Sequence, residues 1–212
     1  MRWLGLVLTV LALAGGCGGG DDESTTTTGG GCEQVDRPDA REPETVEPPT
    51  GTLDPTKTYT LVFDTTCGQF SVELDLRLSP ETTASLVSLA RKGFYDDTIF
   101  HRIVPGFVIQ GGDPTQTGTG GPGYTTLDAP PVAAEYTKGI MAMAKSGIEP
   151  AGAAGSQFFV VTAENAALES AYAIVGRVSD GLDVVELIGT LGDEEERPTQ
   201  PVVVRDVTVT VT

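Results

Sequence analysis

Phe100-His101-Arg102-Ile103-Val104-Pro105-Gly106-Phe107-Val108-Ile109-Gln110-Gly111-Gly112-Asp113 is two short apolar runs around one turn dipeptide. Pro105 presets φ for the second position of a tight turn, and Gly106 accepts the positive φ of the third. The flanking runs, about Ile99–Ile103 and Phe107–Gly111, therefore read as adjacent strands. They place a cation, Arg102, and an amide, Gln110, on neighbouring strands beside Phe107. Strict alternation sends Phe107 and Gln110 to opposite faces. Both can serve one site only if the chain is irregular near Pro105-Gly106.

Working outward, Tyr59, Leu61 and Phe63 alternate with polar residues, and Phe70, Val72, Leu74 and Leu76 resume the alternation after Thr65-Thr66-Cys67-Gly68. This pattern predicts a hairpin with one buried face. Ser79-Pro80 reads as an N-cap and first helical residue, Leu86, Leu89 and Ala90 as an apolar stripe, and Gly93 as the stop. Further strands are expected at about Ile140–Lys145, Gln157–Thr162 and Tyr172–Val178, and a second helix at Gly181–Leu191 with Leu182, Val185 and Ile188 inward. Val202 to Val211 reads as a last strand. Many short strands with two helices predict a mostly β barrel or sandwich, closed or nearly so.

The folded domain is expected to span 57–212. Before it, 17–56 is rich in threonine, glycine, proline and acid, a composition that predicts a disordered tether. Residues 1–16 read as an export signal: Arg2, an apolar run from Trp3 to Ala14, then small residues before Cys17. Leu13-Ala14-Gly15-Gly16-Cys17 resembles a bacterial lipobox, with Ala14 where leucine is usual, so Cys17 is expected to carry a lipid and hold the chain to a cell membrane outside the cytoplasm. The remaining pair, Cys32 and Cys67, is expected to bridge in an oxidising compartment, with two free thiols as the other reading. A net charge of −17 excludes nucleic acid as a partner and leaves the lipid as the sole membrane contact. One histidine and three widely spaced cysteines give no metal-ligand pattern, so no metal or cofactor is expected.

A second informative stretch is Met141-Ala142-Met143-Ala144-Lys145, followed after a loop by Gly155-Ser156-Gln157-Phe158-Phe159-Val160. With Phe100–Asp113, Pro80-Glu81-Thr82, Gly93-Phe94-Tyr95-Asp96 and Gly118-Thr119-Gly120-Gly121-Pro122-Gly123-Tyr124, it resembles the cyclophilin family in order along 57–212. The resemblance implies a closed eight-stranded antiparallel barrel capped by two helices, and peptidyl-prolyl cis/trans isomerase activity. It assigns Arg102 as the catalytic cation, Gln110 as the carbonyl-side amide, and Phe107, Val108, Phe159 and Leu168 as the proline pocket. Ala144, Lys145 and Gln157 form the adjoining groove, and Tyr172 replaces a pocket histidine. Ala167 stands where many members carry tryptophan, and Val108 and Val175 replace larger pocket residues, which implies weak cyclosporin binding.

Rotation about an X–Pro bond crosses a barrier of roughly 20 kcal/mol and takes roughly 10–100 s unaided. It needs no nucleophile and no proton abstraction, so His101 reads as a structural or rim residue. The Gly118–Gly123 run lacks the strand-then-helix context of a phosphate loop and reads as a flexible loop. The expected function is isomerisation of X–Pro bonds by a monomer that assists folding of exported proteins, with proline-containing peptides and unfolded exported chains as partners. The alternatives are a non-catalytic proline-binding module or holdase, and a structural surface protein.

Overall fold

The computed structural model describes residues 31–212. The expected signal segment and Cys17 lie outside the described residues. In chain order the elements are β1 (Tyr59–Thr65), β2 (Gly68–Leu74), α1 (Pro80–Arg91), β3 (Thr98–Ile99), β4 (Arg102–Val104), β5 (Val108–Gly111), β6 (Thr126–Leu127), β7 (Ile140–Met143), β8 (Ala153–Ala154), β9 (Phe158–Val161), β10 (Ile174–Asp180), α2 (Leu182–Gly189) and β11 (Val203–Val211).

The β1–β2 hairpin follows its alternation. Leu61, Phe63, Phe70 and Val72 are fully buried, and Phe63 stacks on its cross-strand partner Phe70 with centroids 4.6 Å apart. β11 pairs with the other side of β1 over Tyr59–Thr65. The main core adds Leu86 and Leu89 of α1, Val185 and Ile188 of α2, and Phe100, Ile103, Ile109, Met141, Phe158 and Val160.

One antiparallel sheet holds nine strands in the order β3-β11-β1-β2-β10-β7-β9-β5-β4, and β6 pairs with β8 apart from it. This corrects the expected closed eight-stranded ring: the sheet is a curled half-barrel. Its end strands, β3 and β4, are consecutive in the chain but not paired. Phe100 and His101 interrupt what reads in sequence as one strand. Phe100 is fully buried and its N–H donates to Val202 O, while Ile103 N–H donates to Glu196 O, so both edges find partners other than each other.

Ser79 does not cap α1 with its side chain. Its buried hydroxyl donates to Ile174 O at 2.7 Å. The cap comes from a distant loop: Asp128 Oδ2 accepts from Thr82 N–H and from Thr82 Oγ1, each at 2.7 Å. A carboxylate at this end also complements the helix dipole.

The tether expectation is corrected over 31–56. Glu33 N–H donates to Thr66 O, Arg41 N–H to Pro114 O and Val46 N–H to Pro122 O, and the Arg41 guanidinium reaches Phe94 O. Cys32 is disulfide-bonded to Cys67, and Cys32, Val46 and Leu53 pack against the main core. Such a segment cannot build a core of its own. A few apolar anchors and backbone bonds suffice to lay it on one already formed.

Candidate active site

Cross-strand partners in a sheet point to the same face. Arg102 faces Gln110, Gln110 faces Phe159, Phe159 faces Ala142, and Val108 faces Val161. Their alternate neighbours Ile103, Ile109, Met141, Phe158 and Val160 fill the main core. The outer face thus carries a second apolar cluster, with Val108, Tyr136, Ile140, Ala142, Phe159, Val161 and Ile174 buried. Phe107, Ala144, Leu168 and Tyr172 pack against it, half-buried. Phe107 escapes the parity problem because it lies in the turn before β5. Gly106 has φ +69°, and Phe107 N–H closes the turn on Val104 O at 3.0 Å.

A polar chain borders this cluster. Arg102 Nε donates to Glu196 Oε2 at 2.6 Å, and Arg102 Nη1 to Gln110 Oε1 at 3.3 Å. Gln110 Nε2 donates to Gln157 Oε1 at 3.1 Å, and Gln157 Nε2 to Gly120 O at 3.0 Å. The Gly118–Gly123 run, expected to be flexible, is organised by the buried Asp113 carboxylate, which accepts from the N–H groups of Thr115, Thr117, Gly118 and Gly120. Burial pushes the Asp113 carboxyl up. The hydrogen bonds from Thr115, Gly120 and Gly118 outweigh it and hold the group below its ordinary value.

The His101 ring lies beside Gly118, and both its nitrogens are buried without a hydrogen-bond partner among the described residues. Burial lowers its pKa, partly opposed by the Asp113 charge.

The aromatic wall is built from Phe159, Tyr172 and Tyr136, with Phe159 and Tyr172 edge-on at 5.5 Å. Lys145 Nζ lies 5.6 Å from the Tyr172 ring centroid and donates to the carbonyls of Ser146 and Glu149. Beside it runs a groove of about 1090 Å³ lined by Gln110, Ala144, Lys145, Gln157, the 117–125 loop and residues 40–45 of the N-terminal segment.

The structure thus brings Arg102, Gln110, Phe107, Val108, Phe159, Leu168 and Tyr172 onto one face, with Ala144, Lys145 and Gln157 along the groove. Val175 is not in the pocket: it is fully buried in the main core, because alternation in β10 turns it inward while Ile174 faces out. Two participants escaped the sequence reading. Glu196 sits in an acidic turn that reads as solvated surface, and Tyr136 in a loop without periodicity. Only the tertiary contacts reveal them.

A guanidinium and two amides thus stand fixed beside an aromatic-walled apolar pocket. The chain belongs to the cyclophilin family: the family model described as cyclophilin type peptidyl-prolyl cis-trans isomerase/CLD matches residues 60–209, and the chain is a peptidyl-prolyl cis-trans isomerase. It is 39% identical over 147 residues to peptidyl-prolyl cis-trans isomerase-like 1 of Aspergillus fumigatus, covering 67% of this chain and 89% of that protein. It is 37% identical over 177 residues to the probable peptidyl-prolyl cis-trans isomerase A of Mycobacterium bovis, covering 74% and 96%. A crystal structure of a Cryptosporidium parvum cyclophilin type isomerase superposes with a TM-score of 0.66 at 30% identity, covering 72% of this chain and 98% of that one. A second, determined in the presence of the dipeptide Ala-Pro, gives 0.65 over 71% and 98% at 30% identity.

Proposed function

We propose that Arg102 drives the isomerisation by hydrogen-bonding a prolyl nitrogen that has lost its amide resonance. In the planar amide that nitrogen has no available lone pair; on twisting it becomes pyramidal and accepts a proton donor. A fixed cationic donor then favours the half-rotated state over both flat isomers, which is catalysis by differential binding. A gain of 10⁴- to 10⁵-fold requires about 5.5–7 kcal/mol of such preference. Phe107, Val108, Phe159, Leu168 and Tyr172 hold the proline ring, Gln110 orients the carbonyl side, and Ala144, Lys145 and Gln157 receive flanking residues.

The observation that carries this reading is the Arg102–Gln110 hydrogen bond on the face that also bears Phe159. Ala-Pro, the dipeptide used with the Cryptosporidium relative, is a suitable minimal probe. Exchange NMR on an Ala-Pro peptide is expected to show turnover that falls roughly 10²–10³-fold in Arg102→Ala. Undiminished exchange in that variant would sink the assignment.

The lipobox-like Leu13–Cys17 supports a chain tethered through Cys17 outside the cytoplasm, where its clients would be unfolded exported proteins. Metabolic labelling with palmitate is expected to mark the full chain and not Cys17→Ser. Labelling of both would refute the anchor.

A further inference from the structure

We propose that Glu196 is a positioning residue for the isomerase reaction, holding the Arg102 guanidinium on its Nε side while Gln110 holds Nη1. The proposal rests on the reading of Arg102 given above.

Glu196 lies in the turn between α2 and β11, and that turn is fastened to the strand bearing Arg102. Ile103 N–H donates to Glu196 O at 2.9 Å. Gly192 lies so close to β4 that a Cβ there would stand 2.3 Å from Ile103 O and 2.8 Å from Pro105 Cδ, so the approach requires glycine. The turn is also braced internally. Asp193 Oδ1 accepts from Glu195 N–H at 3.0 Å and Arg197 N–H at 2.8 Å, and Glu196 N–H donates to Asp193 O at 3.1 Å. Glu196 itself has φ +63°, a conformation that a residue with a side chain adopts only where its surroundings over-determine it.

This bracing ends in one functional contact, Arg102 Nε to Glu196 Oε2 at 2.6 Å. The pair is poorly placed to stabilise the fold, since the side chains are 35% and 47% exposed and solvent screens them. It is well placed to stop a flexible side chain from wandering. With Nε and Nη1 engaged, the guanidinium plane is held at two points, and Nη2 makes no hydrogen bond among the described residues. A donor fixed before the substrate arrives needs no reorganisation at the moment of twisting. Loosening it should weaken binding of the half-rotated amide and leave binding of the planar peptide to the aromatic pocket.

The test is exchange NMR with an Ala-Pro peptide on wild type, Glu196→Gln, Arg102→Lys, the double variant and Arg102→Ala. Glu196→Gln is expected to lower kcat about tenfold, with KM within about twofold of wild type. It should add no further loss in the Arg102→Lys background. The Arg102 Nε–H resonance is expected to be protected from exchange in wild type and to lose that protection in Glu196→Gln while the unfolding midpoint stays in place. Wild-type kcat in Glu196→Gln, with activity lost in Arg102→Ala, would overturn this inference alone. So would an equal further loss in the Arg102→Lys background, which would mark a global effect. Full activity in Arg102→Ala would remove the Arg102 reading and this inference with it.

Discussion

The Tyr136 hydroxyl meets both backbone polar groups of Tyr172, donating to its carbonyl at 2.8 Å and accepting from its N–H at 3.0 Å. Tyr136 is almost wholly buried, and its ring also meets those of Phe159 and Tyr172. One phenol thereby fixes the segment that presents Tyr172 to the pocket. Tyr136→Phe keeps the ring and leaves two backbone groups unpaired, at a cost of about 1–3 kcal/mol. Titration with a proline peptide is expected to show weaker affinity, and calorimetry a lower midpoint. Unchanged values in both would contradict the role.

The Cys32–Cys67 bridge spans 35 residues. On chain-entropy grounds, closing a loop of that length contributes about 3–4 kcal/mol. Cys32→Ser with Cys67→Ser should lower stability by up to that amount in denaturant titrations. The N-terminal segment should then become protease-sensitive first, since its remaining ties are a few backbone bonds and apolar contacts.

Removing the remote cap should loosen one helix end. Asp128→Ala leaves Thr82 N–H without its acceptor, while the Thr82 hydroxyl keeps Thr126 Oγ1, for a loss of about 1–2 kcal/mol. Hydrogen exchange is expected to rise in the first turn of α1 and in the β6–β8 pair, with the sheet unaffected. Uniformly faster exchange would argue for a general loss of stability instead.

Among the groups that make the domain sensitive to acid, His101 and Asp113 act in separate windows. Burial lowers the folded-state pKa of His101 below 6.5, so its contribution is complete above about 6.5 and lost as pH falls through the folded value. Asp113 lies below 3.8 when folded because its hydrogen bonds outweigh burial, so its contribution is complete above about 4 and lost as pH falls through that lower value. Stability measured against pH should therefore fall in two steps. His101→Gln should remove the upper one, and Asp113→Asn should reduce the lower, to which Asp54, Glu149 and Asp193 also contribute, and loosen the 115–120 loop. A single step in wild type would count against this account.

The sheet and its inward faces were legible because alternation is local: Leu61, Phe63, Phe70 and Val72 announce their face from spacing alone, and all are buried. The placement of Arg102 opposite Gln110 follows from one turn dipeptide. What was illegible depends on distant partners. Ser79 has the chemistry of a cap, yet a sheet carbonyl claims its hydroxyl and Asp128 takes over. Residues 31–56 have the composition of a free chain, and only the surface beneath them gives Val46 and Leu53 somewhere to pack. Val175 reads as a pocket residue by family correspondence, while strand parity turns it inward.

The turn carrying Glu196 has one more effect, on traffic. By taking the Ile103 N–H it occupies the margin of the sheet nearest Arg102. A proline-containing peptide reaching the cleft finds that rung of the ladder filled, so its backbone has less opportunity to enlist as an extra strand. On the function proposed above, a ring and a few side chains grip it, and these can release it as soon as the bond has turned.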